Sequence, residues 1–303
     1  MAYPFIQRPC HQLPATMMDG RLEVEGGSIW YRTAGAGGVP LVCLHGGPGA
    51  THDYLENILS LSDDRMVVLY DQLGGGRSDR PRDRSLWTAE RFVDELDRLV
   101  RHLGLQRFHL LGQSWGSMLA VLYAQMKGQG RLASLVLSAP YLSSPLWDQD
   151  QRRHVAGLPE KERSAILDCE ARGDYASVKY AQAMDVFYRR HVCRMKNWPD
   201  ALNRSMQGMG LEVYNSMWGP SEFTLTGGLK DADVTGFLSS IRSPVLYTCG
   251  EFDEATPETT RRYAELTPYS RVVEFKGASH MHHLESEEEF LSAVRGFLNE
   301  KDG

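Results

Sequence analysis

Gly112-Gln113-Ser114-Trp115-Gly116 sets a serine between two glycines. Arg107-Phe108-His109-Leu110-Leu111, just before it, reads as a short buried strand, and the stretch from Trp115 to about Lys127 reads as a helix. A serine on so tight a strand-to-helix turn holds strained dihedrals, and side chains two positions to either side would collide. Glycine at both places removes the collision. The turn leaves the Ser114 hydroxyl at the end of a sheet, close to the positive end of a helix. The chemistry this suits is nucleophilic attack on a carbonyl. A hydroxyl attacks poorly until a neighbouring base takes its proton, so a histidine oriented by a carboxylate has to reach Ser114 from elsewhere in the chain.

Two later strands supply both. Pro244-Val245-Leu246-Tyr247-Thr248-Cys249 ends in Gly250-Glu251-Phe252-Asp253-Glu254, and Ser270-Arg271-Val272-Val273-Glu274-Phe275 ends in Gly277-Ala278-Ser279-His280. Catalytic groups of parallel sheets gather at the carboxyl ends of strands, and the chain order Ser114, Asp253, His280 is the one expected for a serine on such a turn. Asp253 is favoured over Glu251 and Glu254 because it lies three residues past its strand, on the loop. His280 is favoured over His282 and His283, which fall at the start of the next segment. Acyl transfer also needs donors for the developing oxyanion. The backbone N–H of Trp115, first in its helix, is one; that of Gly47, in His45-Gly46-Gly47-Pro48-Gly49, is the other.

The elements that must position these residues are legible around them. Arg21-Leu22-Glu23-Val24 and Ser28-Ile29-Trp30-Tyr31-Arg32-Thr33 flank Gly26-Gly27 and predict an edge hairpin. Leu41 to Leu44, Met66-Val67-Val68-Leu69-Tyr70 and Ser134-Leu135-Val136-Leu137-Ser138 are apolar throughout, as strands covered on both faces are. Thr88 caps a predicted helix whose apolar residues run from Phe92 to Leu103 at helical spacing, with Gly104 as its stop. Strands alternating with helices predict an α/β fold with a mostly parallel sheet. From 141 to 232 no strand-like run occurs, which predicts a helical cap inserted between core segments 1–140 and 233–303. Val178, Ala181, Met184, Phe187, Tyr188, Val192 and Met195 read as one helical face in it; Trp198, Met206, Met209, Met217 and Trp218 follow, and some of this group should line a pocket. A closing amphipathic helix is predicted over 287–298.

Composition narrows the function. In 303 residues, 42% are hydrophobic, the net charge is −6, and no long basic run occurs, which argues against nucleic acid or an anionic membrane as partner. No apolar run approaches the ~20 residues needed to span a bilayer, and residues 1–20 lack the pattern of a secretory signal. Five scattered cysteines without a CxxC pair predict free thiols and a cytoplasmic protein. No HExxH or Cys/His cluster calls for a metal, and no cofactor is expected.

Taken together, His45-Gly46-Gly47-Pro48-Gly49, Asp71-Gln72-x-Gly74-x-Gly76-Arg77-Ser78, Gly112-Gln113-Ser114-Trp115-Gly116, Gly250-Glu251-Phe252-Asp253-Glu254 and Ser279-His280 resemble the prolyl iminopeptidase family of α/β-hydrolases. Gly219-Pro220-Ser221-Glu222-Phe223-Thr224, with Gly227 and Lys230-Asp231, is similar to the tricorn-associated aminopeptidase and L-amino-acid amidase branch. The resemblance implies an α/β-hydrolase fold with helices on both faces of the sheet. It also implies a metal-free serine peptidase or amidase whose acyl-enzyme forms on Ser114, and a small or short-peptide substrate with a free α-amine, held by Glu222 and Glu254. The preferred first residue, the leaving group and the oligomeric state do not follow from it. An esterase or lactonase on the same scaffold, or a ligand-binding protein that keeps the triad, would share the core motifs. A haloalkane dehalogenase would carry Asp where this chain has Ser114.

Overall fold

The computed structural model describes residues 16–302. Eight strands form one sheet: β1 (Met17–Val24), β2 (Gly27–Ala34), β3 (Leu41–Leu44), β4 (Val67–Tyr70), β5 (Phe108–Gln113), β6 (Leu132–Ser138), β7 (Val245–Gly250) and β8 (Ser270–Phe275). Their order across the sheet is β1-β2-β4-β3-β5-β6-β7-β8. β1 and β2 pair antiparallel and β2 meets β4 antiparallel; every other pairing is parallel. The hairpin extends further than its alternation foretold, since pairing continues back to Met17 opposite Ala34. β3 to β7 are buried from end to end, which explains their lack of alternation: both faces are covered.

Helices α1 (Ala89–His102) and α2 (Trp115–Lys127) follow β4 and β5. Thr88 caps α1 by accepting from the Arg91 N–H. The helix Glu287–Asn299 closes the chain, its Phe290, Val294, Phe297 and Leu298 buried in one of the apolar clusters that flank the sheet. Between β6 and β7 no strand occurs; five longer helices do, α3 (Ser144–Ala156), α4 (Glu160–Arg172), α5 (Val178–His191), α6 (Asp200–Gln207) and α7 (Leu211–Met217).

The predicted stripe on α5 is displaced. Val178 is 73% exposed, and Ala181 is exposed too; Phe187 of the predicted stripe is buried, but Tyr180 and Ala183, which the stripe left out, complete the buried face. The helix also ends before Val192 and Met195, which therefore lie off it. Residues 180, 183 and 187 keep the i, i+3, i+7 rule, and the cluster around Phe223 selects that row over its neighbour.

A 3₁₀ run, His52–Asp63, was not foreseen. It ties the core to the insertion. Arg204 on α6 donates to Asp53 Oδ1 at 3.1 Å and pairs with Glu56, while the Thr51 N–H donates to Ser205 Oγ at 3.2 Å. Cys43, Cys169, Cys193 and Cys249 are buried and free; Cys10 lies outside the described residues. Among the described residues no helix is long and apolar enough to cross a membrane.

Candidate active site

Ser114 stands between β5 and α2 with φ 55° and ψ −121°, a backbone conformation that L-residues seldom adopt and that persists only where the surroundings enforce it. Two contacts do so: the Ser114 N–H donates to the Ser138 carbonyl at 2.9 Å, and Ser117 Oγ donates to the Gly112 carbonyl at 2.7 Å. The collision inferred from the motif is real. A Cβ on residue 112 would stand 2.1 Å from the Gly116 carbonyl oxygen.

The loop after β7 delivers Asp253 and the loop after β8 delivers His280. Asp253 Oδ1 lies 2.7 Å from His280 Nδ1. The carboxylate also accepts from the Ala255 N–H at 2.8 Å and the Gly250 N–H at 3.2 Å, and Oδ2 is 3.6 Å from His282 Nδ1. Burial alone would push its acidity down, but the charge of His280 and the hydrogen bonds from His280 and His282 outweigh it, so Asp253 stays ionised well below the usual carboxylate range. The other two histidines have different duties. His282 Nε2 is fixed between Ser138 Oγ (3.0 Å) and Thr248 Oγ1 (2.9 Å). His283 Nε2 meets the Tyr54 carbonyl at 3.1 Å, and burial lowers its pKa to about 3. Of the three, only His280 lines the cavity that Ser114 opens onto.

That cavity, about 220 Å³, lies between the carboxyl ends of the strands and the helical insertion. Gly47 lines it beside Ser114. Its φ of 106° is one that a side chain would strain, and a Cβ there would meet the Ala50 nitrogen at 2.7 Å. Trp115 heads α2, so its N–H is at the helix's positive end. Its indole turns away from the cavity into the core, where Nε1 donates to Gln72 Oε1 at 2.9 Å and the ring meets Phe92 edge-on. The bulk at position 115 therefore takes nothing from the space beside the Ser114 hydroxyl.

Glu222 and Glu254 line the same cavity, one from the segment between β6 and β7 and one from the loop after β7. Glu222 Oε1 accepts from the Tyr214 hydroxyl at 2.8 Å, and its carbonyl accepts from Trp147 Nε1 at 2.9 Å. Glu254 is fully buried, and neither of its carboxylate oxygens has a hydrogen-bond partner among the described residues. Its Oε1 stands 3.5 Å from His280 Nε2. Desolvation pushes both carboxyls up, Glu254 the further because the charges of Glu222 and Asp253 add to it. Two carboxyls that oppose each other's ionisation, one without any donor, make a site suited to a cation.

Tyr54 and Gln113 escaped the sequence reading. The Tyr54 hydroxyl accepts from the Gly46 N–H at 2.6 Å and donates to Gln113 Oε1 at 2.7 Å, which pins the loop that carries Gly47 to the turn that carries Ser114. Gln113 was in plain view inside the serine motif; Tyr54 sits on the unforeseen 3₁₀ run and had no local signal. Tyr54→Phe would leave the Gly46 N–H and Gln113 Oε1 unpaired, and is expected to lower kcat about tenfold with KM within about twofold. Steady-state kinetics on the folded variant checks this; an unchanged kcat would separate the network from the loop's function.

One further grouping of metal-ligand type, His52, Asp53 and Glu56, occurs among the described residues. Arg204 already pairs with both carboxylates, and His52 Nδ1 is held by Asp71 at 2.8 Å.

An elbow serine, a histidine–aspartate pair and a cavity at the carboxyl ends of a mostly parallel sheet define a hydrolase of the α/β type, and residues 39–287 match the family model for the α/β hydrolase fold. The proline iminopeptidase of Heyndrickxia coagulans is 44% identical over 93% of this chain and 98% of its own length. The crystal structure of proline iminopeptidase from Mycobacterium smegmatis superposes with a TM-score of 0.87 at 37% identity, covering 94% of this chain and 99% of that one. The structure of VinJ does so with a TM-score of 0.90 at 36% identity, covering 95% and 99%. The chain belongs to the proline iminopeptidase family of α/β-hydrolases, and it is a hydrolase.

Proposed function

We propose that this hydrolase releases a single N-terminal residue, proline foremost, from short peptides or amides through an acyl-enzyme on Ser114. The observation that carries this reading is the unpartnered Glu254 carboxylate 3.5 Å from His280 Nε2. Glu254 and Ser114 line the same cavity, and an amine held at the one with the carbonyl at the other would limit the cut to the first residue. His280, oriented by Asp253, takes the serine proton as Oγ attacks the carbonyl. The oxyanion that forms is met by the N–H groups of Gly47 and Trp115. His280 then gives its proton to the leaving amine, and water repeats the sequence to free the amino acid. The name of the relatives supports proline as first residue.

A cavity rich in methionine and aromatic side chains would also suit an esterase, so the test sets the two against each other. A prolyl p-nitroanilide is expected to show kcat/KM at least about tenfold above p-nitrophenyl butyrate, although the ester is intrinsically the more labile. Faster turnover of the amine-free ester, with the anilide untouched, would make the chain an esterase.

A further inference from the structure

The two ends of the cavity differ in character. Glu254 is wholly buried at one end, whereas Met206 and Leu211, which line the same cavity, are 43% and 63% exposed and mark its mouth. With the amine against Glu254 and the carbonyl at Ser114, the exposed lining residues Met206 and Leu211, with Met209, are left to meet the leaving group. Among the described residues no arginine or lysine lines this cavity. Arg204 and Arg80, near it in sequence, are engaged elsewhere: Arg204 with Asp53 and Glu56, and Arg80 with the Gly208 and Met209 carbonyls at 2.6 and 3.4 Å.

We infer that the leaving group accepted here is uncharged and apolar, and that a free carboxylate on the residue just after the scissile bond is selected against. This rests on the aminopeptidase reading and specifies its substrate. In a dipeptide the terminal carboxylate reaches an apolar lip that offers no cation, and it loses hydration there without compensation. Glu222, which lines the same cavity, adds repulsion of like sign. An amide or anilide carries no charge to desolvate and gains from apolar contact with the methionines. In a tetrapeptide the carboxylate lies beyond the mouth, where water solvates and screens it.

The test measures kcat/KM at neutral pH and one ionic strength for prolyl-leucinamide, prolyl-leucine, and a prolyl tetrapeptide as amide and as acid. The dipeptide amide is expected to exceed the dipeptide acid by about tenfold, and the tetrapeptide pair to agree within about twofold. Leu211→Arg, which sets a cation at the lip, is expected to narrow the dipeptide gap by raising the acid relative to the amide. Equal rates for the two dipeptides, a faster acid, or a gap that Leu211→Arg leaves intact would overturn the inference while leaving the aminopeptidase reading in place. No hydrolysis of any of the four would overturn both.

Discussion

Ser114→Ala is expected to lower kcat/KM for an aminoacyl anilide by at least about 10⁴-fold, because the attacking atom is removed and only binding and oxyanion stabilisation remain. The fold should not suffer. The strained conformation at 114 is enforced by backbone contacts, the bond from the Ser114 N–H to Ser138 and the close approach of Gly112 to Gly116, and neither involves the hydroxyl. Alanine keeps both. The melting temperature should therefore stay within a few degrees of the parent, about what a surface-sized change of stability produces. A fluorophosphonate should label the parent and not the variant. Near-normal turnover by Ser114→Ala would assign the nucleophile elsewhere.

Glu254→Gln carries the second large effect, and it has two parts. A substrate ammonium about 4 Å from a carboxylate, at an effective dielectric of ~20, gains on the order of 4 kcal/mol before desolvation. Glutamine cannot ionise to meet that ammonium, and the change is expected to reduce kcat/KM for free-amine substrates about 10²-fold while leaving N-blocked substrates nearly unaffected. Stability should move the other way. Desolvation and the neighbouring acids raise the folded-state pKa of Glu254 above its ordinary value. Between the unfolded and folded values the native protein keeps a proton that the unfolded chain has released, so stability falls as pH rises through that window. Glutamine removes this loss. The variant should match the parent below about pH 4.5 and melt higher at neutral pH, by about 2–4 °C for each kcal/mol recovered. Thermal melts across pH, read beside kinetics on free and blocked substrates, check both parts; a lower melting temperature at neutral pH would mean that Glu254 is held by contacts rather than strained by burial.

The core was readable because its chemistry lies where strands end. Apolar runs such as Leu41–Leu44 and Val245–Gly250 announce buried strands, and each is followed by a loop that carries the candidate groups. Chain order then restricts how Ser114, Asp253 and His280 can be assigned. Glu222 and Glu254 gave no such signal. A glutamate in a loop looks the same whether it faces water or a buried cavity, and only resemblance singled these two out. The offset stripe on α5 has a related cause: Val178 and Tyr180 both suit an apolar face, and the choice between adjacent rows depends on what packs against them, here Phe223. Tyr54 was out of reach because a 3₁₀ run has no 3.6-residue repeat to detect.

The most direct measurement compares one anilide with its N-acetylated form on the parent enzyme. Acetylation removes the positive charge and changes nothing at the scissile bond. If the buried carboxylates hold the substrate by its amine, kcat/KM for the blocked compound should fall by at least about 10²-fold. Equal turnover of the two would show that Glu222 and Glu254 are not an amine site.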